Sequence, residues 1–144
     1  MSNTLYLPPR WRRIGFYSLP TRGEGSNQVH IYMSQSTASD VLIALTTCPD
    51  GESGQKIANA LVTEHLAACV NQIPGIHSTY LWKGELQNDT EVLLVIKTTI
   101  AKLATVEARI KALHPYEVPE LIAIPVAGGS QAYLEWVRRT VAPG

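Results

Sequence analysis

Apolar and polar residues follow one another in a pattern that predicts four strands and three helices between residues 41 and 141. Short apolar runs rich in β-branched residues predict strands, and apolar residues spaced three and four apart predict helices. The predicted strands cover residues 41–47, 69–82, 91–99 and 120–126, and the predicted helices cover residues 52–66, 103–113 and 131–141.

Turn-forming residues separate these elements. Pro49 and Gly51 end the first strand, and Asp50 or Ser53 is expected to cap the helix that follows. Pro74-Gly75 predicts a bulge or a bend inside the second strand. Two further pairs, Lys83-Gly84 and Asn88-Asp89, are turn signals between the second and third strands. Pro125 cannot donate to a β-ladder, which indicates that the fourth strand is an edge strand or contains a bulge.

The order β-α-β-β-α-β, followed by one more helix, predicts an α+β protein of the ferredoxin-like type. In that fold the strands are ordered 4-1-3-2, neighbouring strands are antiparallel, and two helices cover one face of the sheet. The second face would expose apolar side chains in a single chain. We therefore expect a closed, symmetric homo-oligomer.

Residues 1–40 differ from the remainder of the chain. Residues 1–32 contain four arginines and one acidic residue, whereas residues 33–144 contain eight basic and eleven acidic residues. The first segment is rich in proline and glycine and has no sustained helical or strand period, so a flexible arm is expected. A transit peptide is one interpretation; an upstream start or non-native residues before Met33 is the interpretation we favour. Residues 41–144 are predicted to form the folded domain.

Composition excludes several classes of protein. Twelve basic residues balance twelve acidic ones, which argues against nucleic acid as a partner. The sequence contains no apolar run of the roughly 18–20 residues that cross a membrane, so no membrane association is expected. Two cysteines cannot build a disulfide framework, and the predicted fold places Cys48 and Cys69 at opposite ends of the sheet, which favours free thiols in a cytoplasmic protein.

Six short blocks together resemble the CutA divalent-cation tolerance family. They span nearly the whole predicted domain, and the block at the junction of the second helix and fourth strand is the most specific. In chain order they read TTCPD (46–50), LAACVN (66–71), STYLWKG (78–84), IKTT (96–99), HPYEVPE (114–120) and YLEW (133–136).

The resemblance implies a fold similar to the PII signalling proteins, assembled sheet to sheet as a homotrimer. It also implies a role in the response to divalent metals, copper foremost, and it brings no settled catalytic activity. We therefore expect a metal-binding tolerance protein and not an enzyme. The alternative is a PII-like structural or signalling trimer that acts through a protein partner or a small ligand at the subunit clefts.

Four residues are candidate metal ligands. The predicted topology places Cys48 and His114 at the same end of the sheet, and a thiolate with an imidazole suits copper or zinc. Asp50 and Glu117 are candidate oxygen donors nearby. The sequence departs from the bacterial family pattern, which has a cysteine where this chain has Thr46 and a histidine pair where only the second histidine is kept. A purely structural role for His114, at the end of a helix, is the competing interpretation.

A second group of polar and aromatic residues predicts an intersubunit cleft. Lys97 ends a buried strand, so we expect it to pair with a carboxylate, either Glu91 or Glu117. A salt bridge at a subunit interface and a small-ligand site between subunits are both open interpretations. The residues of the predicted cleft are Trp82, Glu91, Lys97, Tyr116 and Trp136.

Overall fold

A computed structural model describes residues 40–142. The predicted arm therefore lies outside the described residues, except for its last residue, Asp40, whose carboxylate accepts a hydrogen bond from Arg138 Nε at 2.6 Å. The strands are β1 (Val41–Cys48), β2 (Cys69–Trp82), β3 (Glu85–Thr99) and β4 (Ile122–Pro125). The helices are α1 (Gly51–Thr63), α2 (Leu103–Leu113) and α3 (Gln131–Val141), with a 3₁₀ turn at Ile100–Lys102.

The four strands form one antiparallel sheet in the order β2-β3-β1-β4. This confirms the predicted α+β class, and the observed strand order agrees with the expected one. β4 is an edge strand, as Pro125 indicated, and β3 lies inside the sheet between β1 and β2. No helix of the described residues is long and apolar enough to span a membrane.

The helix ends follow from local chemistry. Asp50 Oδ1 accepts a hydrogen bond from the backbone N–H of Ser53 at 2.7 Å, so Asp50 is the N-cap of α1. α1 ends at Thr63 instead of continuing to residue 66, because His65 adopts a left-handed φ of 54°. α2 ends at Leu113, and His114 is extended with ψ of 138°, as expected for a residue before proline.

The hairpin between β2 and β3 is longer than predicted. Lys83 and Gly84, both with positive φ, make a two-residue turn, and β3 begins directly at Glu85. The turn predicted at Asn88-Asp89 is wrong, because these residues lie within β3. Their side chains accept hydrogen bonds from the opposite strand instead: Thr79 donates to Asn88, and Tyr80 donates to Asp89. The bulge predicted at Pro74-Gly75 is confirmed by a register shift there.

The outer half of this hairpin extends beyond the rest of the sheet. β1 ends opposite Val92, so the β3 residues before it pair with β2 alone. Leu81, Trp82 and Leu86 near the tip are 71%, 46% and 65% exposed. Because a two-stranded ribbon is only marginally stable in water, such an apolar tip is typical of a segment that packs against another chain.

One face of the sheet carries the main core. Alternate residues of β1 and β3 face α1 and α2 and are fully buried among the helix residues Ile57, Leu61 and Ile110. The opposite face, here called the open sheet face, has half-buried or exposed apolar side chains: Ile43, Leu45, Leu93, Val95, Ile122 and Ile124. Apolar side chains are exposed on this face as expected, but α3 covers part of it by packing on Val41 at the start of β1.

One buried hydroxyl group in the core has no hydrogen-bond partner among the described residues. Thr46 is fully buried on β1, and its Oγ1 is unsatisfied. Thr46→Val keeps the shape and removes this hydroxyl, so we expect it to raise the free energy of unfolding by about 1 kcal/mol. Urea denaturation measures the change. The control is Thr98→Val, which removes a buried hydrogen bond to the Leu66 carbonyl at 2.7 Å and is expected to destabilise the protein instead.

Candidate functional site

The ends of β1 and α2 are joined by one histidine side chain. His114 is 8% exposed, and its Nε2 lies 2.7 Å from the Thr47 carbonyl oxygen. Its Nδ1 accepts a hydrogen bond from the backbone N–H of Tyr116 at 3.1 Å. A carbonyl can only accept and a backbone N–H can only donate, so the partners fix the proton on Nε2. The prediction that Cys48 and His114 lie at one end of the sheet is confirmed.

The residue pair Tyr116 and Glu91 lies beside this histidine. Tyr116 Oη donates to Glu91 Oε1 at 3.0 Å, and Glu91 is only 5% exposed although it is a carboxylate. Burial raises the pKa of the Tyr116 hydroxyl, and the bond to Glu91 raises it further. The tyrosine therefore stays protonated and keeps donating to the carboxylate across the neutral pH range.

These two residues form part of the wall of a cavity of about 720 Å³. The cavity lies between the outer half of the β2–β3 hairpin and the segment that follows α2. Its size falls within the range of small-molecule sites, roughly 300–1,000 Å³. The lining residues are Thr47, Ser78, Thr79, Tyr80, Trp82, Glu91, Pro115, Tyr116, Glu117, Val118 and Glu120.

Within one chain, the structure brings together three of the five predicted cleft residues. Trp82, Glu91 and Tyr116 line the cavity. Lys97 lies six residues further along β3, about 20 Å away. Trp136 packs against Tyr133 of α3 with the rings tilted by 40° and their centroids 5.4 Å apart, and it does not line the cavity. A cleft that contains all five residues would need a second chain.

In the described part of the chain Lys97 pairs with neither Glu91 nor Glu117, and a salt bridge to a second chain stays a prediction. Lys97 Nζ donates to Asn71 Oδ1 and to the Val95 carbonyl oxygen, the latter at 3.4 Å. The strand register places Lys97 opposite Cys69, and Asn71 is two residues further along β2 on the same face. The ammonium group is only half-buried there, so the amide and carbonyl oxygens suffice as partners.

Sequence reasoning missed several cavity residues, of which Tyr80 has the largest side chain. Tyr80 Oη donates to Asp89 Oδ2 at 2.6 Å, which orients the ring along the hairpin. The sequence does contain a signal: Ser78, Tyr80 and Trp82 alternate along β2, so they share one face of the strand. The predicted second strand contained all three residues, but only Trp82 was assigned to the cleft.

Three of the four candidate metal ligands have structural roles within the chain. Cys48 is fully buried in the core, where burial raises the pKa of its thiol to about 11, with Asp50 and Glu91 adding to the rise. Asp50 caps α1, and both ring nitrogens of His114 have hydrogen-bond partners. Glu117 is exposed and lines the cavity.

These side chains do not fit a metal ion held by one chain. The part of the chain that the structure describes contains no group of three or more histidine, cysteine, aspartate or glutamate side chains that could hold a metal. A thiol with a raised pKa is protonated at neutral pH, whereas a metal ligand must be a thiolate. The assignment of the four residues as ligands stays a prediction.

The two cysteines are expected to differ in reactivity. Both are free thiols, but Cys48 is fully buried and Cys69 is half-buried. We expect iodoacetamide to modify Cys69 at least about tenfold faster than Cys48 in the native protein at pH 8, since the thiolate is the nucleophile. Peptide mapping by mass spectrometry measures both rates. If Cys48 reacted as fast in the native protein as in urea, its buried position would be contradicted.

Comparison with known proteins identifies relatives of this chain. A family model described as the CutA1 divalent ion tolerance protein matches residues 42–140. Protein CutA, chloroplastic, from Arabidopsis thaliana is 44% identical over 115 residues, which cover 80% of this chain and 63% of that protein. The divalent-cation tolerance protein CutA from Thermus thermophilus is 50% identical over 96 residues, which cover 67% of this chain and 93% of that protein.

Solved structures of the same kind share the fold. The divalent cation tolerance protein Cut A1 from Thermus thermophilus superimposes with a TM-score of 0.70 at 47% identity, covering 71% of this chain and 99% of that chain. CutA from Xylella fastidiosa gives a TM-score of 0.71 at 43% identity, covering 72% of this chain and 100% of that chain. The similarity therefore extends over the described domain in both sequence and fold.

Proposed function

The chain belongs to the CutA1 divalent ion tolerance family, and from that membership we propose that it acts in tolerance to divalent cations, copper foremost, as a cytoplasmic homotrimer. The observation that carries this proposal is the family match over residues 42–140, together with the shared fold. The role is one of binding and not of catalysis. The cytoplasm is proposed because both cysteines are free thiols.

Two features of the chain support a homo-oligomer. The open sheet face presents apolar side chains from three strands, and the hairpin tip exposes Leu81 and Leu86. Apolar surfaces of this kind are usually covered by another chain. Three copies that pack their open faces together would bury both features, with the hairpin of each copy lying against a neighbour.

The proposed metal binding draws its ligands from more than one copy. Within one chain, Cys48 is protonated and buried and Asp50 caps a helix, so these two are the weaker candidates. Glu117 is exposed on the segment that follows α2, and His114 lies three residues before it. A second copy would supply the remaining donors, and His114 would exchange its bond to Thr47 for the metal.

Calorimetric titration of the full chain with Cu(II) and Zn(II) tests this proposal. We expect binding in a fixed ratio to the trimer, and Glu117→Gln is expected to weaken it at least about tenfold. Cys48→Ala is expected to change the affinity less than about twofold. The matched control is Glu107→Gln, which removes an exposed carboxylate from α2. Tight binding that is lost only in Cys48→Ala would overturn this ranking of the ligands.

The second candidate function is a PII-like trimer that acts through a small ligand or a protein partner. The observation that favours it is the cavity of about 720 Å³, which one chain already forms without a metal site among the described residues. If titration with both metals gave no heat and the protein were still a trimer, this second function would replace the first.

A further inference from the structure

We propose that the cavity between the β2–β3 hairpin and the segment after α2 binds a small organic cation, an alkylammonium or quaternary ammonium compound. This site goes beyond divalent-cation tolerance and does not depend on metal binding. Three properties of the described cavity wall lead to it: its charge, its aromatic rings and a buried carboxylate.

The charged residues that line the cavity are all acidic, although the Lys83 ammonium lies beside the ring of Trp82. Three glutamates, Glu91, Glu117 and Glu120, line the cavity, and its described lining residues include no lysine, arginine or histidine. A further acid, Asp89, accepts a hydrogen bond from the cavity residue Tyr80. A concave site lined by one sign of charge concentrates ligands of the opposite sign.

The aromatic rings give the wall a second affinity for cations. Tyr80, Trp82 and Tyr116 all line the cavity, and rings of this kind attract ammonium groups through their negative faces. The chain itself gives an example, because the Lys83 ammonium lies 5.8 Å from the centre of the Trp82 ring. Aromatic and apolar walls favour an ammonium ion with alkyl groups over a hydrated metal ion.

The buried carboxylate is the third property. Glu91 is 5% exposed, and among the described residues its side chain accepts one hydrogen bond, from Tyr116. A buried carboxylate without a cation is costly, and a bound ammonium ion would supply the missing charge. The alternative of a metal ion requires several ligating groups together, which the described residues do not offer.

Choline is a suitable probe, because its neutral analogue, with carbon in place of the quaternary nitrogen, has nearly the same shape. We expect choline to bind the full-length trimer and the neutral analogue to bind at least about tenfold more weakly, as measured by calorimetry. Trp82→Leu keeps an apolar side chain at an exposed position and is expected to remove this preference. Glu91→Gln is expected to reduce choline affinity at least about tenfold. The control is Trp136→Phe, which changes a ring outside the cavity.

Several results would overturn the proposal. Equal affinity for choline and its neutral analogue would mean that the cavity recognises apolar bulk and not charge. No binding at millimolar choline, in a protein of trimeric mass, would mean that the assembled protein has no organic-cation site in this cavity. Choline affinity unchanged in Trp82→Leu and in Glu91→Gln would place binding elsewhere. Metal titration of the same samples is a separate readout, so failure here leaves the divalent-cation function standing.

Discussion

Leu45→Glu is expected to convert the proposed trimer into single folded chains. Leu45 lies at the centre of the open sheet face, between Val95 of β3 and Ile122 of β4. In a single chain the new carboxylate can reach water, but in the proposed assembly it would be buried without a partner. Such burial costs about 3 kcal/mol or more per copy, which weakens association more than about a hundredfold. Sedimentation at micromolar concentration measures the change.

Two further variants provide a second test of this prediction and its control. Ile122→Glu places the same charge on the same face at a position that is 50% exposed, so it disturbs folding less and should also dissociate the protein. Val62→Glu is the matched control, because Val62 is 38% exposed on α1, which packs on the opposite face. Circular dichroism verifies the fold of each variant. A folded Leu45→Glu or Ile122→Glu protein of unchanged trimeric mass would contradict the proposed sheet-to-sheet assembly.

His114→Ala is expected to destabilise the protein by about 3 kcal/mol, since it removes a buried ring and two hydrogen bonds. The Thr47 carbonyl oxygen loses the donor at 2.7 Å, and the Tyr116 backbone N–H loses its acceptor. The segment after α2 is then no longer joined to β1, so we also expect weaker binding in the cavity. Urea denaturation measures the stability of the variant.

Two variants separate the role of the histidine from that of its neighbours. His77→Ala removes a histidine whose side-chain contact is to Thr90 at 3.3 Å, and it should change stability by less than about 0.5 kcal/mol. Tyr116→Phe removes only the bond to Glu91 and should cost about 1 kcal/mol. If His114→Ala lowered the free energy of unfolding no more than His77→Ala, the claim that His114 holds the segment after α2 against β1 would be contradicted.

The elements and the sheet could be predicted because their signals are local and periodic. The apolar runs of β1 and β3 and the helical spacing of Val106 and Ile110 depend on few neighbours in the chain. The prediction of a turn at Asn88-Asp89 was wrong because a local signal of this kind has two interpretations. Turn residues also serve as cross-strand hydrogen-bond acceptors, and only the register of the opposite strand decides between the two uses.

The candidate site was less predictable because backbone groups and distant side chains complete it. Topology placed His114 beside the end of β1, but no sequence pattern reveals that the Thr47 carbonyl oxygen and the Tyr116 N–H would satisfy its two nitrogens. Lys97 was assigned to Glu91 or Glu117 because the charges are opposite, whereas the strand register gives it Asn71. The raised pKa of the Cys48 thiol likewise follows from burial between sheet and helices.

Native mass spectrometry of the full chain, with and without added Cu(II), tests the central claim most directly. We predict a mass of three chains, which increases by a whole number of copper ions at low micromolar metal and returns to the metal-free value when a chelator is added. A single-chain mass would contradict the assembly. A trimer whose mass stays unchanged with copper would contradict direct metal binding.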